Sequence, residues 1–176
     1  MQTRGFNAFS YADVAAELGV RKASLHHHFA TKAELGLAVV ARYRGDFLAS
    51  LAAIESATGS SVARLASYVE LYGAVLRRKR MCLCGMMAAD VATLPKPLRE
   101  SVAEFFTANE VWLTRVLDAG RRQGELRFAG SASSLAAFFV GTLEGAMLVA
   151  RGSGRREDFD EAGRRLLAMV DAASTH

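Results

Sequence analysis

The sequence predicts an all-α protein, and three observations support that prediction. Of its 176 residues, 51% are hydrophobic, which is enough for a packed core. Its only prolines are Pro95 and Pro97, whereas the good helix formers alanine, leucine, arginine and glutamate are plentiful. Apolar residues recur at helical spacing along most of the chain, and no stretch shows the sustained alternation of a half-buried β-strand. The length suits one ordinary domain, or a small and a medium domain that share a helix.

The first predicted helix begins after Ser10. The Ser10 hydroxyl and the Asp13 carboxylate can cap a helix N terminus, because the two residues lie three positions apart. Gly19 stands where a left-handed residue would end this helix and turn the chain sharply. The apolar side of the helix consists of Ala12, Val14, Ala15 and Leu18.

The second predicted helix, residues 21–29, is short and basic. Two short helices joined at a glycine turn form a helix-turn-helix, whose second helix enters the major groove of DNA. Thr31 and Glu34 then make a capping box for a third helix, whose apolar residues continue to Ile54. This long helix would end near Thr58 and would connect the helix-turn-helix to the rest of the chain.

Four more helices are expected beyond residue 58. One begins at Ser60 or Ser61, and a short apolar segment follows at residues 81–93. The next long helix runs from Leu98 to Gly124. The last two helices are a helix from Ser131 to Gly152 and a final helix that holds Phe159, Ala162, Leu166 and Val170.

Residues 10–35 resemble the DNA-binding signature of the TetR family of transcriptional regulators. The matching positions are Gly19-Val20, Ala23-Ser24-Leu25, His28-Phe29, Lys32 and Glu34-Leu35. The resemblance implies a helix-turn-helix head at residues 1–50 and a helical ligand-binding and dimerisation domain at residues 51–176. His26 departs from the signature, because the family usually has a tyrosine at that place.

The resemblance implies double-stranded DNA as a partner. Lys22, Ala23 and Ser24 would face base edges, and either Arg21 or Lys22 would make a bidentate contact to guanine. The residues expected to hold phosphates are Tyr11, His26, His28 and Lys32, while His27 would lie partly against the domain.

The three consecutive histidines do not form a metal site. Consecutive helical residues point about 100° apart, so His26, His27 and His28 cannot close on one ion. No metal and no cofactor is therefore expected.

Cys82 and Cys84 leave two interpretations open. Both residues suit a buried apolar environment, and a disulfide between positions i and i+2 of a helix has poor geometry. Alternatively, Arg80 would favour a thiolate, which would make the pair a sensor of oxidants or electrophiles.

Methionine and aromatic side chains in the middle of the chain suit either an ordinary core or an adaptable apolar pocket. The TetR resemblance favours the pocket, occupied by a small, largely apolar effector, with Asn109 as the best candidate for a polar contact. The expected ligand-binding residues are Tyr68, Tyr72, Cys82, Met86, Met87, Phe105, Phe106, Asn109 and Trp112.

Ala137, Gly141 and Gly145 recur every four residues and form a stripe that a second helix can approach closely. The stripe would pack either inside the subunit or, as the resemblance implies, against a second copy in a homodimer. The expected interface residues are Leu135, Phe138, Phe139, Gly141, Thr142, Gly145, Leu148, Leu166 and Val170.

The head departs from the family at its beginning. Only Met1 to Phe9 precede Ser10, so the helix that opens the family's DNA domain is expected to be largely missing. Val14, Leu18, Leu25 and Phe29 would then lose part of their cover. The alternative function that follows is a dimeric small-molecule-binding protein whose truncated head does not bind DNA.

Other classes of protein are disfavoured. We find no nucleophile elbow, phosphate-binding glycine loop or paired carboxylates, so an enzyme is not expected. No apolar run reaches the ~18 residues of a membrane span, and no signal peptide opens the chain, so a cytoplasmic protein without a membrane partner is expected. The basic run at residues 77–80 suits either a solvated helix terminus or a contact to DNA or another partner.

Overall fold

The computed structural model describes residues 1–170, and the helical architecture predicted from the sequence is confirmed within them. No β-strand occurs in that range, and a short 3₁₀ turn at Val91–Thr93 precedes the longest helix. The α-helices are α1 (Tyr11–Leu18), α2 (Lys22–His28), α3 (Lys32–Ala57), α4 (Ser61–Arg77), α5 (Leu83–Ala89), α6 (Lys96–Gln123), α7 (Ala132–Ser153) and α8 (Glu157–Ala168).

Local capping interactions define the helix-turn-helix formed by α1 and α2. The Ser10 side chain accepts a hydrogen bond from the Asp13 backbone amide, and the Asp13 carboxylate accepts one from the Ser10 amide at 2.6 Å. Gly19 ends α1 with a φ of 65°, a conformation that glycine adopts without the steric cost that a Cβ would add. The predicted capping box and glycine turn are both confirmed.

The cap of α3 differs in one respect from the prediction. Thr31 Oγ1 accepts a hydrogen bond from the Glu34 amide at 3.2 Å, as expected. The Glu34 carboxylate, however, accepts from the amide of Ala30 at 2.9 Å rather than from that of Thr31. The carboxylate therefore pairs with the backbone amide of the residue before the N-cap, and this hydrogen bond also fixes the link between α2 and α3.

Two helix boundaries differ from the predicted ones because of proline and glycine. Helix α6 begins at Lys96, two residues before the predicted start, because Pro97 lies in its first turn, where no amide donor is needed. Helix α7 continues past Gly152 to Ser153, and Gly154, whose φ is 73°, is its C-cap residue.

The chain has a small core in the head and a larger one in the body. Tyr11, Ala15, Leu25 and Leu35 form the head core. Leu18 is 62% exposed, whereas Leu25 is only 8% exposed, so the expectation that Leu25 loses its cover is wrong. Val14 and Phe29 are half-buried. Helix α3 takes part in both cores and runs through residue 50 without a break, so the predicted division there remains a prediction.

The first nine residues form a segment that ties the head to the body. The Met81 amide donates to the Gln2 carbonyl at 3.0 Å, and Gln2 Nε2 donates to the Met81 carbonyl at 2.9 Å. The Asp90 carboxylate accepts from the Phe6 amide at 2.8 Å. The Arg151 guanidinium, at the end of α7, donates to the carbonyls of residues 2 and 3.

Helix α7 corrects the expectation that no segment is long and apolar enough to span a membrane. Residues Ala132–Ser153 contain an 18-residue window with a mean hydropathy of 1.5, of which 33% is buried inside the subunit. Thr142 and Glu144 interrupt the apolar run, so a search for uninterrupted apolar residues misses it. Buried core helices and apolar subunit interfaces produce the same composition.

Gly120 lies where α6 closely approaches its neighbours, which gives a test of the packing. A Cβ at this position would overlap the Leu126 side chain and would lie 2.7 Å from Ser61 Cβ. We expect Gly120→Ala to lower the free energy of unfolding by about 1–3 kcal/mol, because the crowded neighbours must shift.

The matched control is Gly45→Ala in the exposed part of α3, where an added Cβ has no neighbour within 4 Å. It should raise the free energy of unfolding by about 0.5–1 kcal/mol through helix propensity. Urea unfolding of both variants provides the measurement, and equal effects of the two substitutions would contradict the packing at Gly120.

Candidate DNA interface, subunit interface and effector site

The N-terminal end of α2 presents an exposed surface suited to DNA. Arg21, Lys22, Ala23 and Ser24 are all exposed, whereas Leu25 turns inward to the head core. Arg21 is the N-cap residue, so the first turn of α2 combines two cationic side chains with unpaired helical amides. This geometry allows the predicted base contacts.

Tyr11 has a different environment from the one expected of a phosphate contact. The side chain is buried, and its hydroxyl donates to the Phe29 carbonyl at 2.8 Å. Burial, with a smaller contribution from the Glu34 charge, raises the pKa of Tyr11. This hydrogen bond holds the end of α2 against α1. Because the hydroxyl proton is already donated, the expectation that Tyr11 contacts a phosphate is wrong.

The three histidines remain exposed on α2. The His26 ring lies 4.4 Å from the Tyr11 ring, and the His27 and His28 rings meet edge to face at 5.4 Å between centroids. His27 therefore does not lie against the domain as expected. Across residues 1–170, no group of three or more histidine, cysteine, aspartate or glutamate side chains is placed to hold a metal ion.

Lys32 is held by two aromatic rings at the start of α3. Its Nζ lies 4.4 Å from the centroid of the Phe9 ring and 4.7 Å from that of Phe6. These cation–π contacts position the ammonium group beside the N terminus of α3. A phosphate contact through Lys32 would use the side of the ammonium that faces away from the rings.

The small-residue stripe of α7 faces outward. A Cβ added at Gly141 or Gly145 would have no neighbour within 4 Å, so neither glycine is packed against another helix of the same subunit. Phe138 is 50% exposed and Leu148 is 53% exposed on either side of the stripe. Internal packing therefore does not explain the two glycines.

The remaining predicted interface residues fall into two groups. Leu135 and Thr142 are half-buried at the edge of the exposed face. The other three are buried in the core of the subunit and cannot contact a second subunit directly: Phe139, Leu166 and Val170. Val149 is exposed beside Leu148 and belongs to the surface, although the sequence analysis missed it. Its position four residues after Gly145 was the available signal.

The predicted effector residues form a hydrogen-bonded aromatic cluster in the body. The Tyr68 hydroxyl donates to Asn109 Oδ1 at 2.9 Å and lies 3.3 Å from the Tyr72 hydroxyl. Asn109 Nδ2 donates to the Phe105 carbonyl at 2.8 Å. The Trp112 ring stacks on Tyr68 with 5.5 Å between centroids. The Asn109 side chain thus already has hydrogen-bond partners for its oxygen and its nitrogen, and the cluster is packed as a core.

The edge of this cluster is less tightly enclosed. Met87 and Phe105 are fully buried, whereas Met86 and Phe106 are half-buried. Flexible methionine side chains at such an edge can change rotamer at low cost, because the thioether is unbranched and adaptable.

Three buried side-chain polar atoms have no hydrogen-bond partner within residues 1–170, and two of them belong to this region. These two are Trp112 Nε1 and Glu144 Oε1. The Glu144 carboxylate lies against Gly85 of α5 and close to the Cys82 thiol, and burial raises the pKa of Glu144 to about 6. The sequence analysis missed Glu144, although a single carboxylate inside an apolar helix was a usable signal.

The cysteines do not have the environment of reactive thiols. Cys82 is 1% exposed and Cys84 is fully buried. Burial, followed by the charge of Glu144, raises the pKa of Cys82 and raises that of Cys84 to about 12. The expectation that Arg80 favours a thiolate is therefore wrong, and the thiol-sensor interpretation loses its electrostatic basis.

Comparisons with known proteins agree with this geometry. Residues 1–39 match the family model described as bacterial regulatory proteins, tetR family, and residues 61–172 match the tetracyclin repressor-like C-terminal domain. No curated protein matches the chain.

Solved structures are similar over nearly the whole chain. A TetR-family transcriptional regulator from Agrobacterium tumefaciens is 33% identical, with a TM-score of 0.92, covering 95% of this chain and 89% of that one. A TetR transcriptional regulator from Legionella pneumophila is 28% identical, with a TM-score of 0.86 and coverages of 94% and 88%. The reduced form of NemR from Escherichia coli, 23% identical with a TM-score of 0.84 and coverages of 96% and 90%, shares the fold.

The second family match spans more than half of the chain, and the first coincides with the helix-turn-helix. The residues that form the exposed first turn of α2 therefore lie in the segment that defines the family's DNA-binding head. The chain belongs to the TetR family of transcriptional regulators.

Proposed function

We propose that the protein is a homodimeric repressor that a small, largely apolar effector releases from its DNA operator. The single observation that carries the proposal is the exposed first turn of α2, in which Arg21, Lys22 and Ser24 are free to meet a major groove. Such a protein works in the cytoplasm, where its DNA lies, and needs no catalytic group.

The head is built to hold α2 rigidly. The Tyr11–Phe29 hydrogen bond secures the end of α2, and the Glu34–Ala30 hydrogen bond secures the link to α3. Rigid presentation matters because base contacts require fixed side-chain geometry, whereas phosphate contacts set the register.

The exposed face of α7 supports the homodimer. Phe138, Leu148 and Val149 are at least half exposed around two glycines that leave room for a second backbone. An apolar patch of this kind is unusual on a monomer and typical of an interface. Two-fold pairing would also place two copies of α2 on two half-sites of DNA.

The body cluster supports an effector that enters beside the half-buried Met86 and Phe106. A buried polar atom without a partner costs about 1–3 kcal/mol. An effector that gives Trp112 Nε1 or Glu144 Oε1 a partner would recover part of that cost. Release of DNA follows only if the effector binds the non-DNA geometry more tightly than the DNA-bound one.

The base-contact assignment is tested with Lys22→Ala and the DNA upstream of the coding region. We expect operator binding to weaken by about 1–3 kcal/mol, with relaxed preference at one base pair, because a base-edge contact is lost. Fluorescence anisotropy at several salt concentrations measures both affinity and salt slope.

The matched control is Lys96→Ala, which removes the same charge from the exposed start of α6. Equal effects of the two variants would contradict a base contact by Lys22. Absence of any salt-dependent DNA binding by the unmodified protein would instead favour a dimeric small-molecule-binding protein with an inactive head.

The dimer is tested with Gly141→Leu. A branched side chain in the stripe would hold the two α7 helices apart, and we expect the dissociation constant of the dimer to rise by about tenfold or more. Sedimentation equilibrium measures the change. Gly45→Leu makes the same substitution on exposed α3, also without neighbours, and should leave the dimer intact. An unchanged dimer in Gly141→Leu would place the interface elsewhere.

Glu144 gives a pH prediction whose sign follows from its raised pKa. The folded protein holds this proton up to a pKa of about 6, against 4.5 ordinarily, so the folded state binds more protons between these values. Stability therefore falls as pH rises from about 4.5 to 6, by about 2 kcal/mol in total.

We expect Glu144→Gln to unfold at higher urea concentration than the unmodified protein at neutral pH, and to lose this pH dependence. Glu100→Gln, at an exposed position of α6, should change neither property. A Glu144→Gln variant with the original pH profile would show that the carboxylate is not the titrating group.

A further inference from the structure

A half-open cavity lies at the C-terminal end of α4, outside the aromatic cluster. It has a volume of about 430 Å³ and is bordered by the end of α4, the loop that follows and the end of α7. Leu76, Met81 and Ala150 give it an apolar floor. Its volume is within the range of about 300–1,000 Å³ that is usual for small-molecule sites.

Cationic side chains dominate the wall of this cavity. They are Arg77, Lys79, Arg80, Arg151 and Arg156, and no carboxylate lines it. Two of them have carboxylate partners outside the wall, because Arg77 pairs with Glu70 and Arg156 with an aspartate of α8 at 3.5 Å. Within residues 1–170, Lys79, Arg80 and Arg151 have no carboxylate within 4 Å. The cavity therefore carries a net positive charge.

Several of these cations are already fixed in position. Arg77 engages both carboxylate oxygens of Glu70, and the Arg151 guanidinium donates to the carbonyls of Gln2 and Thr3. Side chains that are ordered before binding lose less entropy when a ligand arrives. Arg151 is therefore partly ordered before a ligand arrives, whereas Lys79 and Arg80 are exposed on the surface.

Lys79 occupies a backbone position that normally favours glycine. Its φ is +56°, and it is the only residue other than glycine with a positive φ in the described part of the chain. Its amide donates to the Leu76 carbonyl at 2.8 Å, which closes the end of α4. A non-glycine residue in this conformation costs about 1–2 kcal/mol. The conformation belongs to a Schellman motif that ends α4, because the Arg80 amide also donates to the Val75 carbonyl at 3.2 Å, and it places the Lys79 side chain on the cavity wall.

Two other grooves of the molecule contain both signs of charge. The groove between α3 and α4 includes Asp46 beside Arg78 and Arg80, and the groove over the head includes Asp13, Glu17 and Asp46. The cationic cavity lacks such carboxylates, which is the condition for attracting an anion.

We propose that this cavity binds a small organic phosphate, an anionic ligand distinct from the apolar effector of the aromatic cluster. The phosphate would accept hydrogen bonds from Lys79, Arg80 and Arg151, and arginine forks suit phosphate oxygens well. The organic part of the ligand would lie on Met81 and Ala150. The site does not depend on operator binding.

The experiment uses 1-naphthyl phosphate as the probe, followed by its fluorescence, with 1-naphthol and inorganic phosphate as comparison ligands. Lys79→Gly removes the ammonium group and also relieves the left-handed strain, so the variant should fold at least as stably as the unmodified protein. Arg80→Gln is a second variant. Arg122→Gln, an exposed residue near the far end of α6, is the matched control.

We expect 1-naphthyl phosphate to bind more tightly than either comparison ligand, because only it uses both the cations and the apolar floor. Lys79→Gly and Arg80→Gln should each weaken its binding by about tenfold, and Arg122→Gln should not. Equal affinity for 1-naphthol, or unchanged binding by both variants, would overturn the proposal. A third result would also overturn the proposal. If the unmodified protein binds no 1-naphthyl phosphate and both variants lose operator affinity, the cations are DNA contacts.

Discussion

Helix α3 is the constraint on which the rest of the structure depends, because it contributes to two cores at once. Leu35, in its first turn, lies in the head core, whereas Val40, Leu51 and Ile54 lie in the body core. An unbroken helix of 26 residues is about 39 Å long and does not bend freely. A change in the packing of its body half must therefore tilt its head half.

Two close contacts make this coupling stronger than helix continuity alone. A Cβ at Gly36 of α3 would lie 2.9 Å from the Phe6 ring and 3.1 Å from Leu98 of α6, so three segments meet there more closely than a side chain would allow. The capped link through Ala30 then fixes α2 to the start of α3. The head can therefore reorient relative to the body only if these contacts move together.

Local chemistry made much of the fold predictable, whereas the sites depended on tertiary contacts. The Ser10–Asp13 cap and the Gly19 turn involve neighbours in sequence, so residue types alone determine them. The burial of Tyr11 could not be foreseen, because its hydrogen bond reaches a residue 18 positions away. The place of Glu144 in an apolar helix was a usable signal, but its partner was not, since the contact with Gly85 joins α7 to α5.

The basic run after α4 is a second case in which the sequence leaves open what tertiary contacts decide. As a sequence, residues 77–80 indicate a solvated helix terminus as well as a binding surface, because cations at a helix C terminus are favourable by themselves. The fold adds Arg151 and Arg156 from another part of the chain and places them around one cavity with Arg77, Lys79 and Arg80, whereas Arg78 lines the groove between α3 and α4.

That cavity also touches the segment that ties the head to the body. Arg151 donates to Gln2 and Thr3, and Gln2 in turn pairs with Met81 on the cavity floor. An anion that draws the Arg151 guanidinium towards itself would weaken its bonds to those carbonyls. The same segment continues to Phe6 and Phe9, whose rings hold Lys32 at the start of α3. Contacts of α3 with the aromatic cluster therefore connect that cluster to the head, whereas contacts of the N-terminal segment connect the head to the cationic cavity.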